Sequence, residues 1–253
     1  MAHDHFYGIC ENKCLVEITA ENIPGAVEST TADITYYVSP SGSDSNSGTS
    51  ESKPFKTLAY ALSKLPRYIA HEITFKLASG TYTEATVDIS NFTGPGSIII
   101  DGDIDNALNC YFENSLSVSN IDCNLAINGI SFGVTSEAFG LIFNVCSGHI
   151  FVFRCQAHES NITTGTNGFY VSHCSDVYLS ECKATNFSSG FVSDNNSQTT
   201  CRVCSCTNCA YPWKSVSGSL LFLMACSSTG HTAETSLAYA GVIVTGNGVY
   251  LGA

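Results

Sequence analysis

The chain has 253 residues and a formal charge of −12, with only ten Lys plus Arg. That balance argues against nucleic acid and against an anionic membrane surface, since both are held by basic stripes. Only 13% of residues are charged while Gly, Ser, Thr and Asn are plentiful, which suits many short strands joined by turns, in one domain or two.

Residues 1–34 have no periodicity and read as an N-terminal attachment arm that ends in the polar run Glu28-Ser29-Thr30-Thr31-Ala32-Asp33. Met1-Ala2-His3-Asp4-His5 lacks the positive start and adjoining apolar stretch of a signal peptide, so export is not expected. His3, His5, Cys10 and Cys14 include the ligand types of a zinc site, but the spacing is unusual and no metal is assigned. Residues 35–70 read as a strand and a capping helix. Ile34-Thr35-Tyr36-Tyr37-Val38 alternates as a strand does, and the Gly- and Ser-rich stretch 39–49 reads as a loop. Apolar residues at 55, 58, 59, 62 and 65 have helical spacing, with Pro54 in the first turn and Pro66 as the stop. Such a helix would cover the open apolar end of the next segment.

That next segment, residues 71–230, is a repeat. Glu72–Leu77 and Ser97–Asp101 supply the first strands, then Leu125–Ile130 precedes Ile150–Cys155 by 25 residues and Val177–Cys182 comes 27 after it. The five-residue excess falls on Asn161–Gly168, whose Gly, Asn and Thr content reads as a loop. From about residue 168 the period tightens to 22. Cys182 steps to Cys204 and Cys226, Phe169 to Phe191 and Trp213, and Ser175 to Ser197 and Ser219. A fixed period this short means a solenoid, and β-branched, Ser, Thr and aromatic residues select a parallel β-helix of about seven coils. No transmembrane span is present, the longest apolar run being Leu220–Cys226. Thirteen cysteines cannot all pair with one another, and in this setting they read as reduced thiols packed as small apolar residues. The sequons at Asn91, Asn161, Asn186 and Asn195 read as chance matches. Residues 231–253 are apolar and glycine-rich, a closing or oligomerisation segment that would leave a strand edge for other subunits.

Tyr36–Thr49, Lys53–Leu58 and Ala78–Glu84 together closely resemble the opening of pectate-lyase-like right-handed β-helix proteins. That opening introduces both polysaccharide lyases and phage tail-spike or fibre proteins. The resemblance covers roughly residues 35–85 and implies an all-β, right-handed, single-stranded parallel β-helix with an N-terminal capping helix. Tyr7–Ile18 looks like the start of virion proteins from phages of gut-type Firmicutes. Together these imply a virion structural protein, a homotrimer docked to other virion proteins through its arm, adhering to a host or mucosal surface glycan. The rival is a carbohydrate-active enzyme on the same fold.

A lyase needs a Lys or Arg base and clustered carboxylates for calcium. Beyond residue 86 the only Lys and Arg residues are Arg154, Lys183, Arg202 and Lys214, and none is in register with the richest cluster, Asp101-Gly102-Asp103-Ile104-Asp105, which reads as a solvated turn. A hydrolase needs two carboxyls across a groove. Glu159, Asp176, Glu181 and Asp194 are candidates, with no acidic partner in register for Asp194. No cofactor is expected, and no catalytic residue is assigned. The paired C-x-x-C runs of Cys201–Cys209 suggest zinc in a loop, but Cys201 and Cys204 are in register with Leu179 and Cys182, so a sulfur ladder inside the coil is expected. The candidate ligand contacts are Tyr170, Tyr211, Trp213 and Asp194, because sugars stack on aromatic faces. Trp213 also has an interior reading, from its register with Phe169 and Phe191.

Overall fold

A computed structural model describes residues 7–9, 15–17, 28–133, 139–233, 235–238, 241–246 and 248–251. His3, His5, Cys10 and Cys14 lie outside them. Tyr7–Ile9 and Leu15–Glu17 form an antiparallel pair, with Gly8 opposite Val16. The rest is a parallel β-solenoid with three faces.

The first face stacks Ile34–Val38, Glu72–Leu77, Ser97–Asp101, Asn124–Asn128, Ile150–Phe153, Val177–Ser180, Gln198–Arg202, Leu220–Met224 and Val242–Thr245, all parallel. The second carries Gly80–Tyr82, Cys110–Phe112, Ser131–Gly133, the start of Gln156–Ser172, the start of Lys183–Asp194, Ser205–Thr207 and Ser227–Thr229. The third carries Val87–Ser90, Leu116–Ser119, Phe139–Asn144, the ends of the two long strands, Tyr211–Val216 and Thr235–Ala238. The expected registers hold. Ile150 pairs with Val177, Leu179 with Cys201 and then Leu223, and Phe169 with Phe191 and then Trp213.

Parallel rungs keep their hydrogen bonds only if successive coils turn at the same place, and from Gly129 onward one residue of this turn lies in the left-handed region. Between the first and second faces that residue is Gly129, Arg154, Glu181, Val203 or Ala225, with φ between 52° and 59°. The amides of Arg154, Glu181 and Val203 donate to Ser180, Arg202 and Met224 carbonyls on the next coil, at 2.8–2.9 Å. The residue after the corner points inward, and there the cysteines stand. Cys155, Cys182, Cys204 and Cys226 donate Sγ–H to the carbonyls of Ile127, Val152, Leu179 and Cys201 on the coil before, at 3.2–3.6 Å. Burial pushes the Cys155 thiol up to about 12, so it stays protonated and inert. The sulfur ladder thus adds weak Sγ–H contacts to backbone carbonyls at a position that Ile130 fills on an earlier coil. Asn91, Asn120, Asn186, Asn195 and Asn208 occupy other left-handed corners, the conformation Asn tolerates best after Gly. Three of the four sequons therefore fall at left-handed corners, where Val145 and His173 stand on other coils.

Inside, the faces exchange volume along the axis. On the second face the inward line runs Tyr82, Phe112, Phe132, Ala157, Ala184 and Cys206, large at the start and small at the end. On the third it runs Val87, Leu116, Leu141, Phe169, Phe191 and Trp213, in the opposite order. Phe169 stacks on Phe191 at 4.8 Å and Phe191 on Trp213 at 5.1 Å. Glycines complete the fit: a Cβ on Gly140 or Gly168 would come 2.9 Å from the Cβ of Ala157 or Ala184.

Three expectations change. The helix is only Leu58–Leu62, because Thr57 is the N-cap, its hydroxyl accepting from the Tyr60 amide at 3.2 Å, and Pro54 lies outside. Glu84 accepts from the Leu58 and Ala59 amides at 3.0 Å, and Leu58, Ala61 and Leu62 enter the core beside the first rungs. Asn161–Gly168 is no loop: it lies within the single strand Gln156–Ser172, whose surplus residues are absorbed by register shifts after His158 and Thr163. The coil also runs past residue 230, through Thr235–Ala238 to Val242–Thr245, and the edge of that last first-face strand is covered by the chain's own antiparallel Gly248–Leu251.

Val203 is a β-branched residue held at φ 53° and 45% exposed, so its side chain contributes strain and little burial. Val203→Asn should raise stability by about 1 kcal/mol, a gain of about 2–4 °C in the thermal midpoint. Differential scanning calorimetry would check this; an unchanged or lower midpoint contradicts the strained corner.

Candidate functional site

Alternation along the third face decides where the expected ligand contacts point. Phe169 and Val171 are inward, so Tyr170 between them is outward. Its hydroxyl donates to Asp194 Oδ2 at 2.6 Å, and the Asn195 amide donates to Asp194 Oδ1 at 2.7 Å. Asn195 Nδ2 donates to Ser172 Oγ at 3.0 Å, and His173 Nδ1 lies 3.0 Å from the same oxygen. Phe139 leans on the Tyr170 ring at 4.8 Å. Burial would raise the Asp194 carboxyl, but hydrogen bonds from Tyr170, Ser217 and Asn195 and the nearby Lys214 charge outweigh it and hold the carboxyl low. Tyr170 is pushed the other way, to about 12, first by burial and then by the Asp194 carboxylate it serves.

Tyr170 and Asp194 are thus brought together, but as each other's partners at a corner. Tyr211 is 39% exposed at the start of its strand and pairs with buried Ser189, on a different register line from Tyr170. Trp213 is 2% exposed at the end of the Phe169–Phe191 stack and has no face to offer a ligand; as an expected surface contact it is corrected to a core residue, because its strand parity points it inward.

Two of the carboxylates weighed for hydrolysis sit in side-chain pairs, and a third, Glu159, is buried. Asp176 Oδ2 lies 2.5 Å from His149 Nδ1, and Glu181 takes the Arg154 Nε–H at 2.8 Å. Asp176 and Glu181 flank Val177–Ser180 at opposite corners, so no shared groove joins them. Asp103 closes a turn, accepting from the Asp105 and Asn106 amides at 3.0 Å and from Asn109 Nδ2 at 2.7 Å, and the Asn109 bond leads in lowering its carboxyl. Cys201 and Cys204 are both buried inside the coil, Cys204 in the ladder and Cys201 on the inward line of Leu179 and Leu223.

The first face carries what the sequence reading missed. Its central outward line runs Thr35, Thr74, Ile99, Ala126, Phe151, Tyr178, Thr200, Phe222 and Val244. Phe151 is 41% exposed and stacks on Tyr178 at 5.5 Å with ring planes 11° apart, and Phe153 stands beside it at 6.2 Å. On its other side Phe151 has only the Ala126 methyl in register. Further along, a cleft of about 450 Å³ is lined by Thr200, Phe222, Leu223, Met224, Val244, Thr245 and Gly246. The available signal was the failure of alternation. Ile150-Phe151-Val152-Phe153 and Leu220-Leu221-Phe222-Leu223-Met224 are apolar at every position, as in strands covered on both faces, yet only one face of each meets the core.

No protein-family model matches the chain. It is similar to the protein named "Uncharacterized protein YwoF" of Bacillus subtilis (strain 168), 34% identical over 131 residues. That match covers 45% of this chain and 26% of the other, so the chain spans about a quarter of that protein's length.

Neutral Tyr170 is favoured by the fold, so its contribution is complete below its ordinary 10 and lost as pH rises through about 12. Asp194 is held low, so its contribution is complete above its ordinary 3.8 and lost as pH falls through the lowered value. Tyr170→Phe should let the Asp194 carboxyl climb toward that ordinary value, measured by NMR titration of the carboxyl carbon. An unmoved titration contradicts the pairing.

Proposed function

We propose that this protein is an adhesive β-solenoid that holds a surface glycan on its first face, in the manner of the phage spike and fibre proteins its opening segment resembles. The observation that carries this reading is the outward Phe151–Tyr178 stack with one ring face open above Ala126. Sugars present C–H bonds to aromatic faces, and rings fixed by stacking lose little side-chain entropy on binding. A rigid parallel scaffold keeps such rings at rung spacing, about 4.8 Å apart. The charge of −12 favours uncharged over acidic glycans at a site with no basic stripe. The partnered states of Asp176, Glu181 and Asp194 suit a surface that binds rather than cleaves.

Screening the purified protein on a glycan array, with Phe151→Ala and Tyr178→Ala beside the wild type, tests the reading. Because both residues point outward, the circular dichroism spectrum should be unchanged while affinity for the captured glycan falls about tenfold or more. Equal capture by the variants and the wild type would refute the first-face site.

A further inference from the structure

We infer that the ligand is an uncharged linear glycan lying along the solenoid axis, seated at two aromatic stations on one outward line of the first face. This rests on the adhesive reading above. The first station is the open face of Phe151 over Ala126, flanked by Phe153. The second is the 450 Å³ cleft where Phe222 and Met224 form an apolar wall and Thr200 and Thr245 supply hydroxyls. Phe151, Tyr178, Thr200 and Phe222 are strictly in register, so the stations lie three rung steps apart, about 14 Å. A single sugar cannot reach both, whereas an extended chain parallel to the axis can.

Between the stations Tyr178 continues the ledge, and Thr200 is a small residue that leaves a dip rather than a barrier. The side chains that line the cleft are uncharged, the chain as a whole is strongly anionic, and the Arg154 that packs on Phe153 is already paired with Glu181, so a uronate or sialylated polymer would find Arg202 as its cation on this line. Arg202, the register neighbour of Met224, stands exposed alongside and can donate hydrogen bonds to hydroxyls. Met224 is 54% exposed, an unbranched side chain suited to conform to a sugar's apolar face.

The test is isothermal titration of the full chain with neutral linear gluco-, manno- and N-acetylglucosamine oligosaccharides, from disaccharide to octasaccharide, alongside uronate oligomers. Affinity for one neutral series should rise about tenfold once the oligomer spans both stations. Phe222→Ala should remove that rise while leaving binding of short oligomers intact, and Phe151→Ala should weaken both. Met224→Ala serves as a second probe of the cleft should Phe222→Ala perturb the fold. Neutral oligomers bound without length dependence, or a rise that survives both cleft variants, would overturn the two-station inference while the adhesive reading stands. Tighter binding of uronates would overturn the uncharged assignment. A wild type that binds none of the oligomers, and no glycan on the array, would remove the adhesive reading itself.

Discussion

The hydrogen-bond register between successive parallel rungs governs the rest of this molecule. A parallel ladder tolerates no drift, so each coil must turn at equivalent positions. The Gly129–Arg154–Glu181–Val203–Ala225 corner shows how strictly that is enforced. Five different residues, one of them β-branched, adopt the same left-handed backbone because the amides there must reach carbonyls on the neighbouring coil. The cysteines are a consequence of the same constraint. A small apolar side chain with a weak donor fits just inside the corner, beside a carbonyl of the preceding coil.

Register also turns side-chain choice into a problem along lines rather than at points. Phe169, Phe191 and Trp213 can stack because Ala157, Ala184 and Cys206 give way on the adjoining face, and Gly140, Gly168 and Gly190 give way beside them. The same rule operates outside. Phe151 and Tyr178 stack because they are register partners, and the stack ends where the line meets Ala126 on one side and Thr200 on the other. A solenoid thus converts a one-dimensional spacing into a row of surface positions whose separations are fixed by the backbone, which is a natural basis for reading an extended ligand.

Much of this was legible in the sequence, and the failures have identifiable causes. Cys182, Cys204 and Cys226 were readable because the later coils have equal length, so register can be counted. Asn161–Gly168 was misread because Gly, Thr and Asn signal a turn locally, whereas pairing with neighbouring coils held the backbone extended through two register shifts. The helix begins later than its apolar spacing suggests because Thr57 caps it, and the Glu84 carboxylate that takes the Leu58 and Ala59 amides comes from 25–26 residues away. Trp213 and Tyr170 could be separated by strand parity alone, one inward and one outward. Phe151, Phe153 and Phe222 were passed over because an apolar residue on an outward position looks, in sequence, like any other core residue.

The proposed binding surface is the first face, an aromatic ledge and an apolar cleft on a parallel sheet, with Asp176, Glu181 and Asp194 partnered at the corners. The most direct measurement is a crystal structure of the protein grown with the longest neutral oligosaccharide it binds. A first-face platform requires sugar density running along the axis from Phe151 past Tyr178 and Thr200 to Phe222. Sugar seated instead at the Tyr170–Asp194 corner, or on the second face, would contradict it.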